Sequence, residues 1–206
     1  MPLQNRVQPT GEIIAHPARG GFMGNRGILH DENGLHPRRR WAHQNWVCCR
    51  LEFKGRRRNL MAPRCYTELF FLDEAVAFAA GHRPCAECRR ADYEAFRDCC
   101  EIGGPAAALD KVLHAERAVA RRFLQKRHAG FAAADLPEGS FILDESGQCG
   151  VIAGGAFHPY RQDGYAAPKP RPPGEVTLLT PPSIIAAFRA GYRPQIAAGA
   201  GAGAGA

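Results

Sequence analysis

Apolar and polar positions divide this chain into two stretches of different character. In the first, three short segments carry strand-like patterning: Glu12–Ala15, Trp46–Phe53 and Glu68–Leu72. The residues around them are rich in Gly, Pro, Asn and Arg. Gly20–Gly27 reads as turn, and Asp31–Gly34 contains the Asn-Gly pair of a hairpin. Asp73 is placed to cap a short helix over Glu74–Ala80, with Gly81 as its stop and Pro84 preventing continuation. A second helix is predicted over Arg90–Ile102, where Tyr93, Phe96 and Cys100 share a face, and Gly103-Gly104 ends it. A third runs from Pro105 to Arg127 on the stripe Leu109, Val112, Leu113, Ala120, Phe123 and Leu124. His114, Arg117 and Arg121 share another face of that helix, which reads as solvated surface rather than as a phosphate grip.

Beyond Leu136 the pattern changes. Ser140–Leu143, Gln148–Ala153 and Ala156–Tyr160 predict a meander of three strands. A proline-rich connector, a strand at Val176–Leu179 and a helix over Ile184–Ala190 follow. The Gly-Ala tail, residues 197–206, has no side chains to bury and is expected to be disordered. Ala77–Pro84 and Ala187–Pro194 echo each other, which reads as one helix-ending device used twice. The expected class is α+β. A small zinc-stabilised N-terminal module with helices, residues 1–127, precedes a short β-meander with a C-terminal helix, residues 136–196, and the two have room to share a core.

Composition narrows the function classes. With 206 residues, 45% hydrophobic and 23% charged, the chain matches ordinary soluble proteins. No apolar run approaches the roughly 20 residues that cross a bilayer. The first residues lack the pattern of a signal peptide, so the expectation is a cytoplasmic protein without a membrane partner. Charge is uneven: residues 1–127 hold 22 Lys and Arg against 14 Asp and Glu, and the remainder holds 5 against 6. The excess sits in clusters, above all Arg38, Arg39 and Arg40 and Arg56, Arg57 and Arg58. Such clusters suit phosphate oxygens and make a nucleic-acid partner the expectation. Trp46 and Phe53, interleaved with them, read as sheet core; Trp41 fits either core or a stacking surface.

Eight cysteines in such a chain point to metal ligation or buried thiols rather than disulfides. The informative run is Gly81-His82-Arg83-Pro84-Cys85-Ala86-Glu87-Cys88. A C-x-x-C turn lets two thiolates converge on one tetrahedral ion, and Arg83, Arg89 and Arg90 stand near enough in sequence to favour the thiolate. The motif follows a helix stop rather than a strand, which disfavours redox use.

Phe70-Phe71-Leu72-Asp73-Glu74-Ala75 through Ala80-Gly81-His82-Arg83-Pro84-Cys85-Ala86-Glu87-Cys88-Arg89 resembles the second half of the Ada-type metal-binding domain of bacterial methylphosphotriester-DNA repair proteins. The likeness covers about 20 residues of the chain. It implies that Cys85 and Cys88 hold a structural zinc. The family's first, closely spaced cysteine pair is missing, so alkyl acceptance does not carry over. Chemistry then nominates Cys49 as third ligand and Cys65 as fourth, with His43 and His30 in reserve. Cys48 should face away from Cys49; Cys99, Cys100 and Cys149 read as core. No hydrolase, P-loop or dinucleotide motif stands in a fitting context. The sequence therefore supports a zinc-containing, nucleic-acid-associated binding protein. The alternatives are an enzyme on nucleic acid using His30, His43 or His114, and an interaction protein with a purely structural zinc.

Overall fold

The computed structural model describes residues 1–56 and 59–199. It is α+β, with two six-stranded sheets and four α-helices among these residues. The first eight strands are β1 Gln4–Val7, β2 Ile13–Ala15, β3 Phe22–Asn25, β4 His30–Asp31, β5 Gly34–Leu35, β6 Val47–Cys49, β7 Leu69–Phe71 and β8 Arg83–Pro84. Six of them form a mixed sheet in the order β2-β1-β7-β3-β6-β8, while β4 and β5 make the hairpin that Asn33-Gly34 predicts. The helices are α1 Glu74–Ala79, α2 Arg90–Asp98, α3 Ala106–Arg117 and α4 Pro182–Arg189. Strands β9 Ala118–Val119 and β10 Leu124–Gln125 pair with each other. The second sheet runs β11-β16-β12-β13-β14-β15, built from β11 His128–Ala132, β12 Phe141–Leu143, β13 Cys149–Ala153, β14 Ala156–Arg161, β15 Gly164–Tyr165 and β16 Glu175–Leu178.

The meander β12-β13-β14 is present as its alternating residues predict, but it is not an appendage to a small N-terminal module. Alternate residues of β12 and β13 point to opposite faces. Phe141, Val151 and Ala153 pack with Val7, Leu69, Phe71 and Val76. Ile142 and Ile152 pack with Phe78, Phe96, Leu113, Ile184 and Phe188. Both apolar clusters thus draw on residues from before and after Leu136. Helix α1 sits where they meet, and all six of its residues are buried.

That burial needs polar anchors. Asp73 caps α1 through Val76 N at 2.9 Å, and its second oxygen accepts from Tyr165 Oη at 2.7 Å and Ala197 N at 2.9 Å. The adjacent Glu74 accepts from Tyr192 Oη and Gln195 N. Residues of the C-terminal segment are therefore joined to the N-terminus of α1. The echoed segments share their ending: Gly81 N and His82 N bond to Phe78 O and Ala77 O, as Gly191 N and Tyr192 N bond to Phe188 O and Ala187 O. Both glycines have positive φ, 81° and 115°, where a side chain would be strained.

Three expected elements are corrected. Gly20–Gly27 is not all turn: β3 lies between β7 and β6, and Gly24 serves close approach there, since a Cβ would stand 2.2 Å from Val47 O. The strand expected over Trp46–Phe53 spans only Val47–Cys49. The third helix stops at Arg117, ten residues early, because the backbone turns extended at Ala118 and Arg121 and Phe123 take positive φ. Arg117 is consequently no solvated residue. It is fully buried, its guanidinium lies 4.2 Å from the Trp46 ring centroid, and it donates to the carbonyls of Gly81 and Gln44. Arg26 lies 4.2 Å from the same ring and donates to His82 Nε2 at 3.3 Å. Trp46 is core as its pattern suggests, and Trp41 packs against it.

His82 is fully buried in this cluster, and burial, with the charges of Arg26 and Arg117, holds its pKa well below the ordinary histidine value. A histidine kept neutral in the fold contributes stability that is complete above the unfolded value near pH 6.5 and is lost as pH falls below it. Urea titrations from pH 7 to 5 should therefore show unfolding free energy falling. Below pH 6.5 the fall should be steeper than that of His82→Gln by up to about 1.4 kcal/mol per pH unit, one proton's worth. Parallel curves would contradict this assignment.

Candidate metal centre

The site begins with a two-residue strand pairing. Strands β6 and β8 run parallel, with Val47 beside Arg83 and Cys48 beside Pro84, and Cys85 N donates to Cys48 O at 3.0 Å. This register delivers Cys85 to the side of Cys49. The helix stop at Gly81 turns the chain back to make the pairing, and Pro84 cannot extend α1. A tight turn then returns Cys88. The ligand atoms of Cys49, Cys85 and Cys88 all lie within 4.8 Å of one another. Thiolates at about 2.3 Å from one tetrahedral ion stand roughly 3.8 Å apart, so the three fit a single zinc.

Their electrostatics suit a cation. The Cys49 thiol hydrogen-bonds to its two neighbours, and those bonds are the main reason that Cys85 is pushed down to about 5 and Cys88 is also lowered. The same bonds push Cys49 up. Backbone amides assist: Glu87 N donates to Cys85 Sγ at 3.4 Å, and the amides of Cys88 and Arg50 act on Cys85 and Cys88 respectively. Thiols whose neighbours favour the ionised form suit a divalent ion, whose binding displaces their protons.

The arginines near the motif in sequence do other work. Arg83 makes a two-pronged pair with Asp110 of α3, 2.8 and 2.7 Å, buried on both sides. Arg89, also buried, binds Glu74 and Asp92 and donates to Cys48 Sγ. Arg90 pairs with Glu94 on the surface of α2. They tie the turn to three helices, and the amides stabilise the thiolates.

Cys48 faces the core as its place in the strand predicts, and burial pushes its thiol up. Cys65 is not in the group: among the described residues no fourth His, Cys, Asp or Glu joins the three. Of the reserve ligands, His30 is held by Thr67 Oγ1 at 2.6 Å and by Ala62 O, and His43 stands outside the group. Cys99, Cys100 and Cys149 are half-buried against the apolar clusters.

Cys49, Cys85 and Cys88 line a cavity of about 720 Å³. Its floor is the outer face of the first sheet. Cys49, Met23 and Phe70 form one row across β6, β3 and β7, and Val47, Asn25 and Glu68 line the same cavity. Glu68 is 1% exposed; one carboxylate oxygen accepts from Met61 N at 2.8 Å, and Oε1 has no partner among the described residues. Phe53 is half-buried and walls this cavity instead of entering the core. Neither Asn25 nor Glu68 was nominated from sequence. The available signal was the period-two pairing of Glu68 with Phe70, which puts a carboxylate on the face of the strand away from the core.

The basic clusters are dispersed. Arg38 and Arg39 are exposed, while Arg40 donates to the carbonyls of His36, Pro37 and Arg39. Arg56, at the cavity rim, pairs with Glu87 at 2.5 Å, and Arg57 and Arg58 lie outside the described residues. No helix among the described residues is long and apolar enough to cross a membrane. Comparison with known proteins finds no matching family model, no matching curated protein and no matching solved structure.

Purified protein should carry about one zinc per chain by mass spectrometry. Cys49→Ser, Cys85→Ser and Cys88→Ser should each lower zinc occupancy at least tenfold at a fixed chelator concentration, and Cys65→Ser should leave it unchanged. Zinc loss in Cys65→Ser equal to that in Cys49→Ser would contradict the three-cysteine site.

Proposed function

We propose that this chain is a zinc protein whose ion is held by Cys49, Cys85 and Cys88 and keeps its fourth position for a water or a ligand from the cavity. One observation carries this reading: three converging thiols stand at the edge of a 720 Å³ cavity, and no fourth protein ligand joins them among the described residues. Closed four-ligand sites are structural, whereas three protein ligands with an open position are the pattern of reactive centres. An ion so held would act as a Lewis acid toward its fourth ligand. The protein's part is to hold the thiolates with backbone amides, to wall the cavity with Phe53, Tyr66 and Phe70, and to present Glu68 and Asn25 to whatever enters. The likeness to the Ada-type domain is proposed to extend only to the turn that holds Cys85 and Cys88.

Cobalt makes the open position measurable. The Co(II)-substituted protein should show thiolate-to-metal absorption whose ligand-field bands shift on addition of azide or 2-mercaptoethanol. A spectrum indifferent to both, with the ion retained, would mean a closed site and overturn the reading.

A second reading, association with nucleic acid, is favoured by Arg38 and Arg39, which stand exposed and make no ion pair among the described residues. Binding to single-stranded RNA or DNA should weaken with salt. The double variant Arg38→Gln/Arg39→Gln should reduce the log–log salt slope by about 1.4. An unchanged slope would remove these residues from any such interface.

A further inference from the structure

The cavity over the thiols has a smaller neighbour. A second cavity, about 340 Å³, shares Leu51, Leu60 and Phe70 with it. Arg6, His16 and Arg19 line this space, and among the described residues no Asp or Glu does. Arg6 is 3% exposed, and of its guanidinium only Nη2 finds an acceptor, the Gln162 carbonyl at 3.0 Å. Nε and Nη1 are buried without an acceptor among the described residues.

The other buried arginines find different partners, although Arg117 Nε is also buried without an acceptor among the described residues. Arg83 and Arg89 have carboxylates, and Arg26 and Arg117 have carbonyls and the faces of Trp46. Arg6 alone of these five lines either cavity. A buried guanidinium with N–H groups unused is costly, and an anion offers what it lacks. The room is kept by Gly20, where a Cβ would stand 2.7 Å from Arg6 Nη1 and 2.4 Å from Phe71 O. His16 Nδ1 accepts from Ala18 N at 3.2 Å, which leaves Nε2 as the donating nitrogen of the neutral ring. Arg19 is exposed at the rim.

We propose that this cavity is an oxyanion-binding subsite that takes the phosphoryl or carboxylate group of a small ligand. The ligand's apolar part runs along Leu51, Leu60 and Phe70 toward the cysteine cluster. Arg6 is the primary contact, His16 and Arg19 complete it, and the subsite does not need the metal.

Calorimetric titration of the full chain with inorganic phosphate, sulfate and acetate tests this. Phosphate or acetate should bind saturably at one site per chain, and the tighter of the two assigns the group. Arg6→Gln should weaken that binding more than tenfold, with Arg19→Gln and His16→Ala each weakening it several-fold. The last two variants carry the test should Arg6→Gln fail to fold, as judged by circular dichroism. Cys85→Ser should bind the anion as the wild type does, so loss of the metal and loss of the anion site read out separately. No saturable binding of any of the three anions, or binding untouched by Arg19→Gln and His16→Ala, would overturn the proposal.

Discussion

The parallel pairing of β6 with β8 is the contact on which the candidate site depends. It amounts to two residue pairs and a bond from Cys85 N to Cys48 O. Without it Cys49 and Cys85 belong to segments 36 residues apart with no reason to meet. So short a pairing is weak by itself and is held by its surroundings. Arg83 locks β8 to Asp110 of α3, Arg89 locks the turn after it to Glu74 of α1 and Asp92 of α2, and Arg117 caps the carbonyl of Gly81. Buried ion pairs contribute little net stability, yet removal of one partner leaves a stranded charge. Here they fix geometry: Arg83 and Arg117 join the thiol-bearing segment to α3, and Arg89 joins it to α1 and α2.

This changes the meaning of the chain's positive charge. A net charge of +7 invites a polyanion, but a substantial part of it is spent inside the fold. Arg6, Arg26, Arg83, Arg89 and Arg117 are all buried. Two of them flank Trp46 with carbonyls and a histidine as acceptors, a setting in which burial lowers both to about 9. What remains exposed near Arg38 and Arg39 is a smaller basic patch than the sequence advertises.

Local signals were legible in the sequence. Asp73 as a cap, Gly81 and Gly191 as stops, the meander, and the opposite orientation of Cys48 and Cys49 follow from short-range rules. Cys85 and Cys88 stood out by spacing, and Cys49 by its place on a strand. Cys65 follows from the demand of a structural zinc for four ligands, and the structure leaves it outside the group of three. The end of α3 was hidden because Ala118, Ala120 and Phe123 continue a helical stripe, while the positive φ at Arg121 and Phe123 has no glycine to announce it. Glu68, Asn25 and Arg6 became candidates only when the sheet order β1-β7-β3-β6 put their strands side by side. Long-range register of that kind leaves no mark on any one segment.

The central claim is a metal bound by three sulfurs and one lighter atom. X-ray absorption at the zinc edge of the purified protein measures it directly. Three sulfur scatterers near 2.3 Å and one oxygen or nitrogen near 2.0 Å are expected. Four sulfurs, or a chain that takes up no zinc at all, would contradict it.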